Sequence, residues 1–314
     1  MKITIIGAGA MGCRFGVAFK EASQEVCLYD IWEEHINKIK ENGLKVYSEE
    51  GTKIYNFNAT SNIDEIGETD CFFIFTKSIH TESAMESIKA LIRENTTVAS
   101  LQNGLGNIEI INKYVDKNKI LAGVTNYATD LLGPGEIEAK GSGITKIMNI
   151  EGYNSETLNS IVNYLNNSGI NTEITEDVIK EIWQKVAFNA ALNTMTALTR
   201  LRVADLGNTE ESKELIEFIV SEINLLASKK GIPFDKEEVL STINCMLAPE
   251  MSGEHITSML QDFLKNNKTE IDTITGKIVE QAEKEGISLP YNKTIYSLIK
   301  IIEKNYQKQI NSLK

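Results

Sequence analysis

A chain of 314 residues exceeds the usual size of one domain, so two domains are expected, and a 42% hydrophobic content is ample for two cores. The net charge of -12 argues against nucleic acid or an anionic membrane as partner, since both call for basic patches. Cys13, Cys27, Cys71 and Cys245 form no C-x-x-C pair and read as reduced thiols, while the scattered His35, His80 and His255 make no metal site.

No basic segment leading into an apolar stretch opens the chain, and no run approaches the roughly eighteen apolar residues of a membrane span, so a cytoplasmic protein is expected. Ile3, Ile5 and Ile6 form the apolar run of a strand buried on both faces, and it stops at Gly7. Gly7-Ala8-Gly9-Ala10-Met11-Gly12 then carries the G-x-G-x-x-G spacing. Gly7 permits a sharp turn, Gly9 removes the side chain that would hold a pyrophosphate off the backbone, and Gly12 lets the next helix pack on the strand. That helix is expected over Cys13 to Ala22, with its open N–H groups facing the phosphates. Val26-Cys27-Leu28-Tyr29 is a second strand ending in Asp30, where an acidic side chain would grip a ribose diol. These residues predict a dinucleotide site; a phosphate-free α/β turn is the other reading.

Trp32 to Asn42 reads as a helix stopped by Gly43, and Leu44 to Phe57 as a hairpin added to the same sheet. The buried strand Cys71 to Phe75 runs into Thr76-Lys77-Ser78, a polar loop at the strand end where doubly wound sheets hold ligands. After a helix from Thr81 to Ile92, the strand Val98 to Leu101 ends in Gln102-Asn103-Gly104-Leu105-Gly106, a second glycine-rich turn. Strands at 120–127 and 144–150 flank the turn Gly133-Pro134-Gly135, and a helix at 155–167 and a strand at 170–174 finish this half. From Glu176 only helical patterns remain, at about 177–200, 210–230, 235–247, 253–265, 269–285 and 291–307. The expected architecture is therefore α/β plus all-α, with a Rossmann-type dinucleotide domain over 1–175, a helical substrate domain over 176–314 and the active site in the cleft between them.

Trp183 to Asn193 is the least ordinary stretch. Nearly every position is apolar or small, so the helix should be buried on most sides, yet Lys185, Asn189 and Asn193 recur every fourth residue in one stripe. Burying them costs several kcal/mol unless something polar meets them. A solvated face would give the same spacing, although Glu and Lys are the better helix formers there.

This stripe, together with GAGAMG at 7–12, TKS at 76–78, LQNGLGN at 101–107, SMLQD at 258–262 and TEID at 269–272, resembles the ketopantoate reductase (2-dehydropantoate 2-reductase) family over essentially the whole chain. The resemblance implies that Lys185 protonates the keto oxygen, that Asn189, Asn193 and Ser258 bind substrate, and that Asn103 lies between cofactor and substrate. It also implies Lys77 on the cofactor and Glu270 at the active-site mouth. Two departures bear on substrate identity: His255 stands where the family often has an asparagine, and Thr199 to Leu206 lacks an asparagine found in some members.

Hydride addition to a ketone builds negative charge on oxygen, so a cation held there stabilises the transition state more than the ground state. The cofactor is expected to be NAD(P)H. NADPH is typical of the family, but Asp30 is followed here by Ile31, Trp32, Glu33 and Glu34, with no cation for a 2′-phosphate. Like charges about 4 Å apart repel by roughly 4 kcal/mol at an effective dielectric near 20, which favours NADH. The expected reaction is reduction of 2-dehydropantoate to (R)-pantoate, with another 2-oxo acid as the alternative substrate. A non-catalytic dinucleotide sensor is the reading from a different class, and a homodimer is left open.

Overall fold

The computed structural model describes residues 1–252 and 255–309. Two compact units emerge, Met1–Gln102 with Asn107–Glu181, and Asn103–Gly106 with Ile182–Lys314. The first holds the strands β1 (Lys2–Ile6), β2 (Glu25–Tyr29), β3 (Leu44–Ser48), β4 (Gly51–Tyr55), β5 (Asn58–Thr60) and β6 (Cys71–Ile74). It continues with β7 (Thr97–Ser100), β8 (Ile120–Thr125), β9 (Ala128–Gly133), β10 (Glu136–Lys140), β11 (Thr145–Asn149) and β12 (Thr172–Ile174).

Eight of these strands form one sheet in the order β12-β11-β8-β7-β6-β1-β2-β5. Its pairs are parallel apart from β8 with β11. Ile3, Ile5 and Ile6 of the central β1 are at most 1% exposed, which is why the strand reads as a continuous apolar run rather than an alternating one. The helix Ala10–Glu21 packs back on this sheet through Phe19, whose ring lies 4.9 Å from that of Phe73 on β6. The chain winds away from β1 on one side to β2 and on the other to β6, and ligands of such sheets bind beyond the strand ends at this reversal.

The hairpin expected at 44–57 forms, but not in that sheet. β3 and β4 pair antiparallel and join β10 and β9 in a separate four-stranded sheet, β4-β3-β10-β9. The second hairpin surrounds Gly133 to Gly135, where the sequence suggested only a turn between longer strands. Glu136–Lys140 buries Ile137 fully and carries charge at alternate positions, so a one-sided strand presents too few apolar residues to register.

The second unit is helical. The long helix Val178–Thr199, in this unit from Ile182 on, is followed by Glu210–Lys229, Lys236–Leu247, Ser258–Leu264, Thr275–Lys284 and Pro290–Glu303, with single turns at Val203–Leu206 and Pro249–Ser252. Side-chain oxygens of Thr209, Asp235 and Thr257 cap three of these helices. The helix expected from 253 starts at Ser258, and residues 253 and 254 lie outside the described residues. The helix expected from 269 starts only at Thr275. Hydroxyls divert the backbone there: Thr269 Oγ1 accepts from Ile271 N at 3.2 Å, and Thr273 Oγ1 donates to the Glu270 carbonyl at 3.1 Å. No helix among the described residues is long and apolar enough to cross a membrane.

Candidate active site

Each glycine of the first turn has its own physical reason. Gly7 has φ +94°, and a Cβ there would lie 2.6 Å from the Thr76 nitrogen, so the turn after β1 presses against the segment after β6. A Cβ at Gly12 would lie 2.0 Å from the Gly7 carbonyl, so only glycine lets the helix approach its strand. A Cβ at Gly9 would meet nothing within 4 Å. Gly9 is also the N-cap of Ala10–Glu21, and no side chain caps that terminus. Open space in front of uncapped amides is what a pyrophosphate requires, so the residues present fit a dinucleotide.

Asp30 follows β2, where its Oδ1 accepts from the Trp32 amide at 2.9 Å, and Ile31 to Glu34 after it are exposed. Lys77 is exposed at the start of the turn Ser78–His80. A half-buried amide network fixes the loop beside it. Gln102 Nε2 donates to the Thr76 carbonyl at 2.7 Å and to Thr81 Oγ1 at 2.9 Å, and Asn107 Nδ2 donates to Ser78 Oγ at 3.1 Å. Sequence reasoning gave Gln102 and Asn107 no role; the available signal was an amide at each end of the second glycine turn.

In the helical unit, Val178–Thr199 buries Trp183, Val186, Ala187, Ala190, Ala191 and Leu192. Asn189 and Asn193 are each 6% exposed, so their stripe is not a solvated face. Asn189 Nδ2 is buried without a hydrogen-bond partner. An unmet buried amide donor costs about 1–3 kcal/mol, so one kept here marks a place for a ligand acceptor. One turn earlier, burial lowers the Lys185 amine from its ordinary 10.5 to about 8, against an opposing pull from the Glu270 carboxylate. Glu270 also accepts a long 3.5 Å contact from Asn103 Nδ2. Asn103 reaches it because Gly104, at φ +88°, would otherwise drive a Cβ to 2.7 Å from the Thr273 carbonyl, which instead takes the Leu105 amide at 2.8 Å.

The Glu270 turn is clamped from Pro290–Glu303. Glu303 Oε1 accepts from the Thr269 amide at 2.8 Å and its hydroxyl at 2.6 Å, and Lys300 bridges Asp272 and Glu303 at 2.9 and 3.1 Å. Ser258 is exposed at the head of its helix, and the preceding Thr257 bonds Thr196 of the long helix, Oγ1 to Oγ1, at 2.6 Å. His255 is exposed. Lys185, Glu270 and Asn103 thus come together, with the asparagine stripe continuing along the same helix. None of the buried thiols competes as a nucleophile: burial pushes Cys27 up to about 11 and raises Cys13 and Cys71 further.

A phosphate-ready glycine turn and a desolvated lysine among buried amides are the equipment of a nicotinamide-dependent oxidoreductase. The chain belongs to the ketopantoate reductase family: residues 3–152 match ketopantoate reductase PanE/ApbA, and residues 177–303 match its C-terminal part. It is 34% identical over 302 residues to a 2-dehydropantoate 2-reductase of Lactococcus lactis subsp. lactis, covering 95% of this chain and 97% of that one. It is 32% identical over 303 residues to one of Pyrococcus horikoshii, covering 96% and 98%. Among solved structures, D-mandelate dehydrogenase with NADH and anilino(oxo)acetate superposes with a TM-score of 0.93 at 31% identity, covering 98% of this chain and 100% of that one.

Proposed function

We propose that the protein reduces 2-dehydropantoate to (R)-pantoate with NADH as preferred hydride donor, and that Lys185 is the proton donor. The observation that carries this reading is the Lys185 amine, desolvated beside Glu270 on the helix that holds the unpartnered Asn189 amide. When bound, the reduced nicotinamide supplies the hydride. With its pKa near 8, Lys185 is charged at neutral pH, attracts the keto oxygen as negative charge grows there, and gives it a proton. Glu270 favours the charged amine and so keeps it loaded. Asn189, Asn193 and Ser258 supply neutral donors to the substrate's carboxylate and hydroxyl, and Asn103 would serve as a further amide donor. The backbone from Gly7 to Gly12 holds the pyrophosphate, Asp30 takes the ribose diol and disfavours a 2′-phosphate, and Lys77 contacts the cofactor.

A second reading has a specific observation behind it. The D-mandelate dehydrogenase neighbour holds an aryl oxo acid, and His255 departs from the family pattern where substrate contact is expected. The same residues would then reduce a 2-oxo acid with a larger side chain. Steady-state assays with NADH on 2-dehydropantoate, phenylglyoxylate and branched aliphatic 2-oxo acids decide between them through kcat/KM. Turnover of none of these, with NADH still bound, would reject both readings in favour of a sensor.

A further inference from the structure

His35, on the helix Glu33–Asn42, is fully buried although no step above uses it. Its Nδ1 accepts from the Gly135 amide at 3.0 Å, in the turn between β9 and β10. A neutral imidazole has one donor and one acceptor, so Nε2 carries the proton. That proton faces Cys13 Sγ, 3.6 Å from Nε2, and the thiol in turn donates to the Ala8 carbonyl inside the glycine turn at 3.1 Å. The indole of Trp32 stacks on the imidazole, with centroids 5.0 Å apart, and the Trp32 amide holds Asp30.

The consequence follows from peptide geometry. In a trans peptide the carbonyl and the next N–H point in opposite directions, and no cis bond occurs among the described residues. Tying the Ala8 carbonyl inward therefore fixes the Gly9 N–H in the opposite direction, at a residue where a Cβ would meet nothing within 4 Å. We propose that His35 is a positioning residue for the dinucleotide: through Cys13, which holds the Ala8 carbonyl, it sets the direction of the Gly9 amide toward the pyrophosphate, and through Trp32 it steadies the Asp30 turn. This rests on the dinucleotide reading above.

Two substitutions separate the two ends of the ring. The amide nitrogen of glutamine reaches the place of Nε2 and can still donate to Cys13 Sγ, whereas the asparagine oxygen replaces Nδ1 and leaves Cys13 without that donor. Calorimetric titration with NADH, alongside thermal melts and steady-state kinetics, should give His35→Asn a Kd weakened about tenfold, as one misdirected amide would cause. Its kcat at saturating NADH and its KM for the oxo acid should stay unchanged, and His35→Gln should remain within about threefold of the parent. Equal weakening of both variants in step with their loss of Tm, or no weakening of either, overturns the proposal. On the unsubstituted protein, imidazole ¹⁵N shifts should report a proton on Nε2, and a proton on Nδ1 overturns it as well. Absence of NADH binding to the parent protein would instead remove the cofactor reading itself.

Discussion

At Gly9 a side chain would meet nothing within 4 Å, whereas at Asn189 a side chain is present, almost wholly buried, and its amide nitrogen meets no partner. Both positions leave something for a ligand to complete, by opposite means. The glycine turn works by omission: the backbone supplies the donors, and the residue type matters only because any other would fill the space. The helix works by inclusion, since amide and ammonium groups are carried into an apolar setting that would normally exclude them. The first device should tolerate change in chemistry but not in volume, and the second the reverse.

The sharpest way to break the contrast is Lys185→Ala. Loss of a general acid that also stabilises the developing oxyanion should lower kcat by about 10²- to 10⁴-fold. NADH affinity should stay within about twofold, because no part of the glycine turn depends on this side chain. Stopped-flow reduction together with a cofactor titration reads both, and a parallel fall in NADH affinity would mean that the two devices are not separate.

The glycine turn divides within itself. In Gly9→Ala the new methyl group enters open space and a permitted backbone conformation, so Tm should hardly move while NADH binding weakens by about ten- to a hundredfold. Gly12→Ala should do the reverse of sparing the fold, because its Cβ would stand 2.0 Å from the Gly7 carbonyl. Thermal melts beside NADH titrations on both variants test the pair, and a large drop in Tm for Gly9→Ala would mean that the space is needed by the protein rather than by a ligand.

This contrast also explains what was legible in the sequence. The strand, turn and helix around Gly7 to Gly12 could be read because omission leaves a fixed spacing of glycines. The asparagine stripe could be noticed because amides are poor helix formers in an apolar run, but its burial was a matter of packing and not of pattern. The β9–β10 hairpin escaped because Glu136–Lys140 shows only one apolar residue to the core at Ile137. The Glu270 turn reads in the sequence as the first turn of a helix, but local hydroxyl bonds from Thr269 and Thr273 outweigh helical periodicity there. His35 could not be found at all: one histidine carries no spacing, and its meaning lies in the distant Cys13 and Gly135.

A smaller effect belongs to Asp30. Replacing it by asparagine removes the charge that would face a 2′-phosphate and keeps an oxygen that can accept from the Trp32 amide. The ratio of kcat/KM for NADH over NADPH should fall by about tenfold, less than the full Coulomb estimate because solvent screens the site. An unchanged ratio would mean that Asp30 turns away from the ribose. The glycine turn would then bind either cofactor without discrimination.

The smallest expected change, and the one that tests the helix most finely, is a displacement along the pH axis. Reduction needs a protonated Lys185, so its rate should fall as pH rises through about 8, while oxidation of the hydroxy acid, which needs the free amine, should rise through the same value. Glu270→Gln removes a charge that favours the ammonium form, so both limbs should move to lower pH. Stability runs the other way from reduction. The amine titrates near 8 in the folded chain and near 10.5 when released, so between these values the unfolded chain binds more protons and the folded state gains as pH rises. Denaturant melts from pH 7 to 10 should therefore show a rising contribution in the parent protein that is missing in Lys185→Met. Identical pH slopes in the two would place the amine in water, and with it the charge that the proposed chemistry requires the helix to bury.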